Sequence, residues 1–170
     1  IAAGIALSTV TLSMPAYAEV KLTKSKDMLV EAVVGDTCKI TTQNLDFGEY
    51  DPVVKHVTEP LKETGGVLLT CTKASTNTIT MSAGKHNGGA LGAGATASRR
   101  MVAGSNAENF LGYEFYTNIG LTTVFDATTG SPYTGIGTEQ KVDIFAQVFP
   151  GQTGVIRDDY SDTIEVTITY

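Results

Sequence analysis

The chain has no tryptophan, two histidines and two cysteines in 170 residues. Each scarcity closes off a class of chemistry. His56 and His86 fall in polar or glycine-rich stretches, with no further ligands at short spacing, so no metal site is expected. Both read as exposed loop histidines. There is no Gly-x-Ser-x-Gly elbow, and the run Gly84 to Gly94 lacks the Lys-Ser/Thr pair of a phosphate-binding loop. Asp158, Asp159 and Asp162 do not have EF-hand spacing. The sequence therefore predicts no enzyme, no catalytic residue, no metal and no cofactor. Positive charge is also short, with 12 Lys and Arg against 18 Asp and Glu and a formal net charge of −6. That balance argues against nucleic acid and anionic membrane surfaces as partners. Arg99-Arg100 reads as a surface feature or an ion pair at the rim of the core.

Long apolar runs are missing too, with one exception. Ile1 to Met14 is apolar and uncharged, and Pro15-Ala16-Tyr17-Ala18 follows it. Small residues at 16 and 18 suit the shallow pockets of a signal peptidase. Residues 1–18 read as a signal-peptide apolar region with cleavage after Ala18, its basic start and initiator methionine missing. The run is too short, and too rich in Ser, Thr and Gly, to span a bilayer comfortably. No other stretch could cross one, so the mature chain is expected outside the cytoplasm, without membrane insertion. Two cysteines there are compatible with one lasting disulfide.

What is present is β-forming. The chain is 42% hydrophobic, with 18 glycines and frequent threonine, which suits one domain of short strands and turns. A period-2 pattern runs from Glu19 to Val34. Its even positions carry Val20, Leu22, Met28, Val30, Ala32 and Val34, and Gly35-Asp36 ends it. The stretch Met28 to Val34 predicts a strand with one buried face. Further strands are predicted at Thr37–Thr41, Gly66–Ala74, Thr76–Ala83, Arg99–Val102, Phe110–Tyr116, Lys141–Phe149 and Asp162–Tyr170. Asn44–Pro52 reads as a strand-turn unit in which Leu45 and Phe47 point one way and Gly48 allows a bulge. Val53–Gly65 reads as irregular, and Gly84–Ala97 as a flexible loop. Tyr113, Phe115 and Tyr116 read as core rather than as a carbohydrate platform. Seven or so strands without helical periodicity suggest a β-sandwich.

Two features are odd for a self-contained sandwich. The last predicted strand ends the chain, with Ile164, Val166, Ile168 and Tyr170 on one face and no tail to cover it. The first pattern, 19–34, has no hairpin tying it to a neighbour. An open edge beside an apolar face is an aggregation liability unless a strand from another chain fills it.

At this point the residues resemble a known family. The combination is Cys38, Leu45-Asp46-Phe47-Gly48-Glu49-Tyr50-Asp51-Pro52 and Leu69-Thr70-Cys71-Thr72-Lys73. It continues with Arg100-Met101, Leu111-Gly112-Tyr113-Glu114-Phe115-Tyr116, Ala146-Gln147-Val148 and Gly151-Gln152, and closes with Tyr160 to Tyr170. This order is similar to the spore coat protein U domain, also found in major subunits of archaic chaperone–usher pili. The resemblance covers nearly all of the chain after residue 18. It implies an incomplete immunoglobulin-like β-sandwich lacking its last strand, completed by donor-strand complementation. A periplasmic chaperone first lends the strand, and an outer-membrane usher exchanges it for the N-terminal segment of the next subunit.

Carried over, residues 19–35 are the donor segment and 36–170 the sandwich domain. Met28, Val30, Ala32 and Val34 enter the neighbour's groove, and Val20 and Leu22 extend the donor. Ile164, Val166 and Ile168 form one wall of the acceptor groove, with Tyr170 near the chaperone contact. Cys38 and Cys71 match the family's disulfide between its first two strands. A tryptophan often found after the Leu-x-Tyr-x-x-Tyr segment is missing, and Val124 or Phe125 takes its core position.

The expected product is a homopolymer displayed at the cell surface, supporting adhesion and biofilm formation. Burying four to six donor side chains at roughly 1.5–3 kcal/mol each supplies about 6–18 kcal/mol before costs. A spore or cell-coat protein of the same domain family remains an alternative, as does a monomeric carbohydrate-binding adhesin module.

Overall fold

A computed structural model describes residues 19, 21–88, 99–128 and 130–170. Among these residues the chain is all-β. Its strands are β1 (Cys38–Thr42), β2 (Leu61–Cys71), β3 (Thr76–Met81), β4 (Arg99–Ala103), β5 (Phe110–Tyr116), β6 (Ser131–Thr134), β7 (Gln140–Val148), β8 (Tyr160–Ser161) and β9 (Val166–Thr169). They form a six-stranded sheet in the order β1-β2-β7-β5-β4-β8 and a three-stranded sheet in the order β6-β3-β9. Every pairing is antiparallel. The expected two-sheet, immunoglobulin-like architecture is what the chain adopts.

The alternating residues explain the packing. Ile144, Ala146 and Val148 of β7 face inward beside Val67 and Leu69 of β2 and Leu111, Tyr113 and Phe115 of β5. Ile79 and Met81 of β3 close the core from the other sheet. Phe125 is 1% exposed and packs in this cluster. Val124 instead bridges to Tyr116. Cys38 and Cys71 stand directly opposite each other in the β1–β2 ladder and are disulfide-bonded.

Several sequence expectations need correction. Leu61–Gly65, read as irregular, is the first half of β2, because Val148 to Ile144 of β7 pair with it residue by residue. Strand β6 lies where no strand was expected, and its proline sits in an edge strand, where a missing amide is tolerated. Asn44–Pro52 contains no strand, although Leu45, Phe47 and Tyr50 do pack against the core. The strand expected at Asp162–Tyr170 begins earlier and is broken. β8 belongs to the large sheet and β9 to the small one, with Asp162–Glu165 crossing between them.

Residues 21–34 are exposed and have no regular secondary structure. Leu22, Met28, Val30, Val33 and Val34 are each at least 80% exposed. The strand pattern at Met28–Val34 is therefore present without a sheet to satisfy it. The signal-peptide reading of residues 1–18, the donor residue Val20 and most of the glycine-rich loop (89–97) lie outside the described residues.

Candidate binding groove

A groove with an apolar floor opens between the edges of the two sheets. Its narrower part holds about 410 Å3. The floor there comes from Val67, Met81, Tyr113, Phe115 and Ile144, and the walls from residues 42–47 on one side and 160–166 on the other. A wider part of about 1110 Å3 shares Leu45, Phe47, Met101 and Tyr160 with it and continues over Leu61, Leu111 and Val148 to Tyr50 and Val155. These floor residues are core side chains, all of them buried, and the partly buried Leu45, Phe47, Met101, Ile164 and Val166 line the groove beside them. Gly65 contributes to its shape, because a Cβ there would meet Leu45 Cδ1 at 2.8 Å.

The ladder fixes what the β9 wall offers. Val166 and Ile168 lie opposite Met81 and Ile79. One step further in the same register, the Ser82 amide donates to the Glu165 carbonyl at 2.9 Å. Hydrogen-bonded and non-bonded pairs alternate in an antiparallel ladder. Glu165, Thr167 and Thr169 therefore turn their amides and carbonyls toward β3. Those of Ile164, Val166 and Ile168 point to the opposite edge. No strand pairs with that edge among the described residues. The side chains of Ile164, Val166 and Ile168 are half-buried against the core, while Tyr170 is 58% exposed.

The crossover between β8 and β9 is held by Asp162, whose side chain is 2% exposed. Its Oδ1 accepts from the Lys85 amide at 3.0 Å and the Thr163 amide at 2.8 Å, and lies 3.1 Å from His86 Nδ1. Its Oδ2 accepts from the Tyr113 hydroxyl at 2.8 Å. Burial, and then the neighbouring Asp162, push the Tyr113 hydroxyl far above the ordinary tyrosine range, so it remains a donor.

Beneath the floor, Arg99 is wholly buried rather than at the rim. It ion-pairs with Glu114 and donates to the carbonyls of Met81, Ser82 and Phe125. Its guanidinium lies 5.3 Å from the Phe115 ring centre. At the other end of the groove, His56 is also not the exposed loop residue expected. It is 2% exposed, stacks on Tyr50 and accepts the Asp51 amide on Nδ1 at 2.8 Å. The readable signal was Asp51-Pro52. Aspartate caps the turn by accepting from the amides of Val53, Val54 and Lys55, and proline suits the first position inside it.

Among the described residues no cluster of His, Cys, Asp or Glu could hold a metal ion, and no helix is long and apolar enough to cross a membrane.

The profile of the Spore Coat Protein U domain matches residues 24–167. No curated protein matches the sequence. Among solved structures, one similar chain belongs to a CsuC–CsuE chaperone–tip adhesion subunit pre-assembly complex from archaic chaperone-usher Csu pili of Acinetobacter baumannii. It shares 14% identity at a TM-score of 0.53, over 81% of this chain and 40% of that one. The present chain thus spans less than half the length of that relative. A second similar chain comes from a chaperone-usher pilus structure described as revealing the basis of rod uncoiling. It shares 16% identity at a TM-score of 0.50, over 91% of this chain and 99% of that one. At these identities the likeness speaks for the fold.

Proposed function

Because the chain belongs to the spore coat protein U domain family, we propose that it is a structural, non-enzymatic subunit of an extracellular chaperone–usher pilus. It polymerises by lending the strand within residues 19–35 to the groove of the next copy. One observation carries this reading: a groove floored by core side chains runs beside a sheet edge with no partner strand among the described residues. An exposed segment with the matching alternation, Met28-Val30-Ala32-Val34, supplies the complementary part. Backbone pairing to the β9 edge and apolar burial in the groove would act together, as in other strand-addition contacts. Head-to-tail donation is a heterologous contact that does not close on itself, so its product is a filament.

Before assembly, a periplasmic chaperone would fill the same groove and an outer-membrane usher would exchange it, delivering the polymer to the cell surface. Adhesion and biofilm support are the roles such a polymer would serve. The family name also supports a second reading, a coat protein using the same strand exchange.

Val30→Asp tests the proposal. A lone carboxylate in the groove is costly to bury, so polymer yield should collapse while export of the monomer continues. Unchanged polymer yield would remove Val30 from the donor face.

A further inference from the structure

One buried carboxylate, that of Asp162, stands in the groove wall. Residues 162–165 lie between the assigned strands and carry the chain from β8 into β9, and residues 162–164 line the narrow part of the groove. They are held from the side away from the groove. Thr163 O accepts from the Lys85 amide at 3.2 Å, Glu165 O accepts from Ser82, and the Glu165 amide donates to Ser82 Oγ at 2.9 Å. Asp162 adds the contacts that reach furthest, joining the segment 84–86, through Lys85 and His86, to Tyr113 in the groove floor. Gly84, at φ +86°, lies so close that a Cβ would collide with Asp162 Oδ2.

We propose that Asp162, bridged to His86 and Tyr113, is a positioning residue for strand capture. It latches the 162–165 crossover so that the outward amides and carbonyls of Ile164, Val166 and Ile168 stay in line for an incoming strand. This rests on the strand-acceptor reading above. If the latch opens, residues 163–165 part from Ser82 and Lys85, and the edge loses its register with the groove. Capture affinity then falls in proportion to the fraction of molecules with the edge in place.

The test uses the Val30→Asp chain, whose own donor segment is blocked, with its disulfide intact and a fluorescent peptide of residues 19–35 followed by anisotropy near neutral pH. Asp162→Asn in that chain should bind the peptide about tenfold more weakly. The amides of Lys85, Thr163 and Glu165, bonded in the latched form, should exchange faster in it, while those of β7 should not. Undiminished peptide affinity, or exchange that rises equally in β7, would overturn the latch while leaving strand capture intact. If the Val30→Asp chain captures no peptide, the strand-acceptor reading itself falls, and the latch with it.

Discussion

Arg99→Met is the perturbation with the largest expected effect on the sandwich. Arg99 is 0% exposed and Glu114 is 4% exposed. The guanidinium ties β4 to Glu114 of β5 and reaches the carbonyls of Met81 and Ser82 at the end of β3, in the other sheet. It also holds Phe125 through its carbonyl. Methionine keeps most of the side-chain volume but removes the charge and every donor. Taking one partner from a buried pair costs about 3–5 kcal/mol, because the carboxylate left behind remains desolvated. Against a total stability of roughly 5–15 kcal/mol, that is a large fraction. The assay is urea unfolding of the oxidised chain near neutral pH, with the denaturant slope checked for constancy. The double variant Arg99→Met/Glu114→Leu should recover part of the loss, since an apolar replacement of both partners is often near neutral. A loss under about 1 kcal/mol in the single variant, or no recovery in the double one, would refute this account of the pair.

Further outcomes follow from the same contacts. Cys38→Ser/Cys71→Ser opens a loop closed across 33 positions and should cost roughly 3–4 kcal/mol on the chain-entropy view, read by urea unfolding. Gly84→Ala should lower the melting temperature by several degrees, because the new Cβ meets the Asp162 carboxylate at a left-handed backbone position; an unchanged melting temperature would mean that the 84–86 segment yields freely. The amides of Val54, Val53 and Lys55 hold the Asp51 carboxyl below the usual carboxylate range. Their support of the turn is complete above the ordinary value of about 3.9 and fades as pH falls through the lowered folded value. Amide exchange in 53–55 should therefore accelerate selectively in strong acid.

Much of the sandwich was legible because alternation reports burial wherever a strand has one face on the core, as in β7 with Ile144, Ala146 and Val148. It was misleading where the partner decides. Leu61–Gly65 looks polar, but β7 pairs with it and makes it strand. The final strand was read as continuous because period 2 does not reveal which sheet a residue joins, and so the crossover at 162–165 left no mark. Arg99 and His56 were misplaced for a related reason. Charge and polarity predict exposure unless partners converge from distant positions, and Met81, Ser82, Glu114 and Phe125 converge on Arg99 from across the fold. The groove was legible only as an oddity, an apolar last strand with nothing to pack on. Its floor and the outward edge of Ile164, Val166 and Ile168 needed the ladder register.

The most direct measurement of the central claim is the mass distribution of a chain lacking residues 19–34, determined by sedimentation. With its sandwich intact and its donor gone, it should remain monomeric, and it should bind one added peptide of residues 19–35 per chain. Continued growth into filaments by the shortened chain would show that this segment is not what joins the subunits.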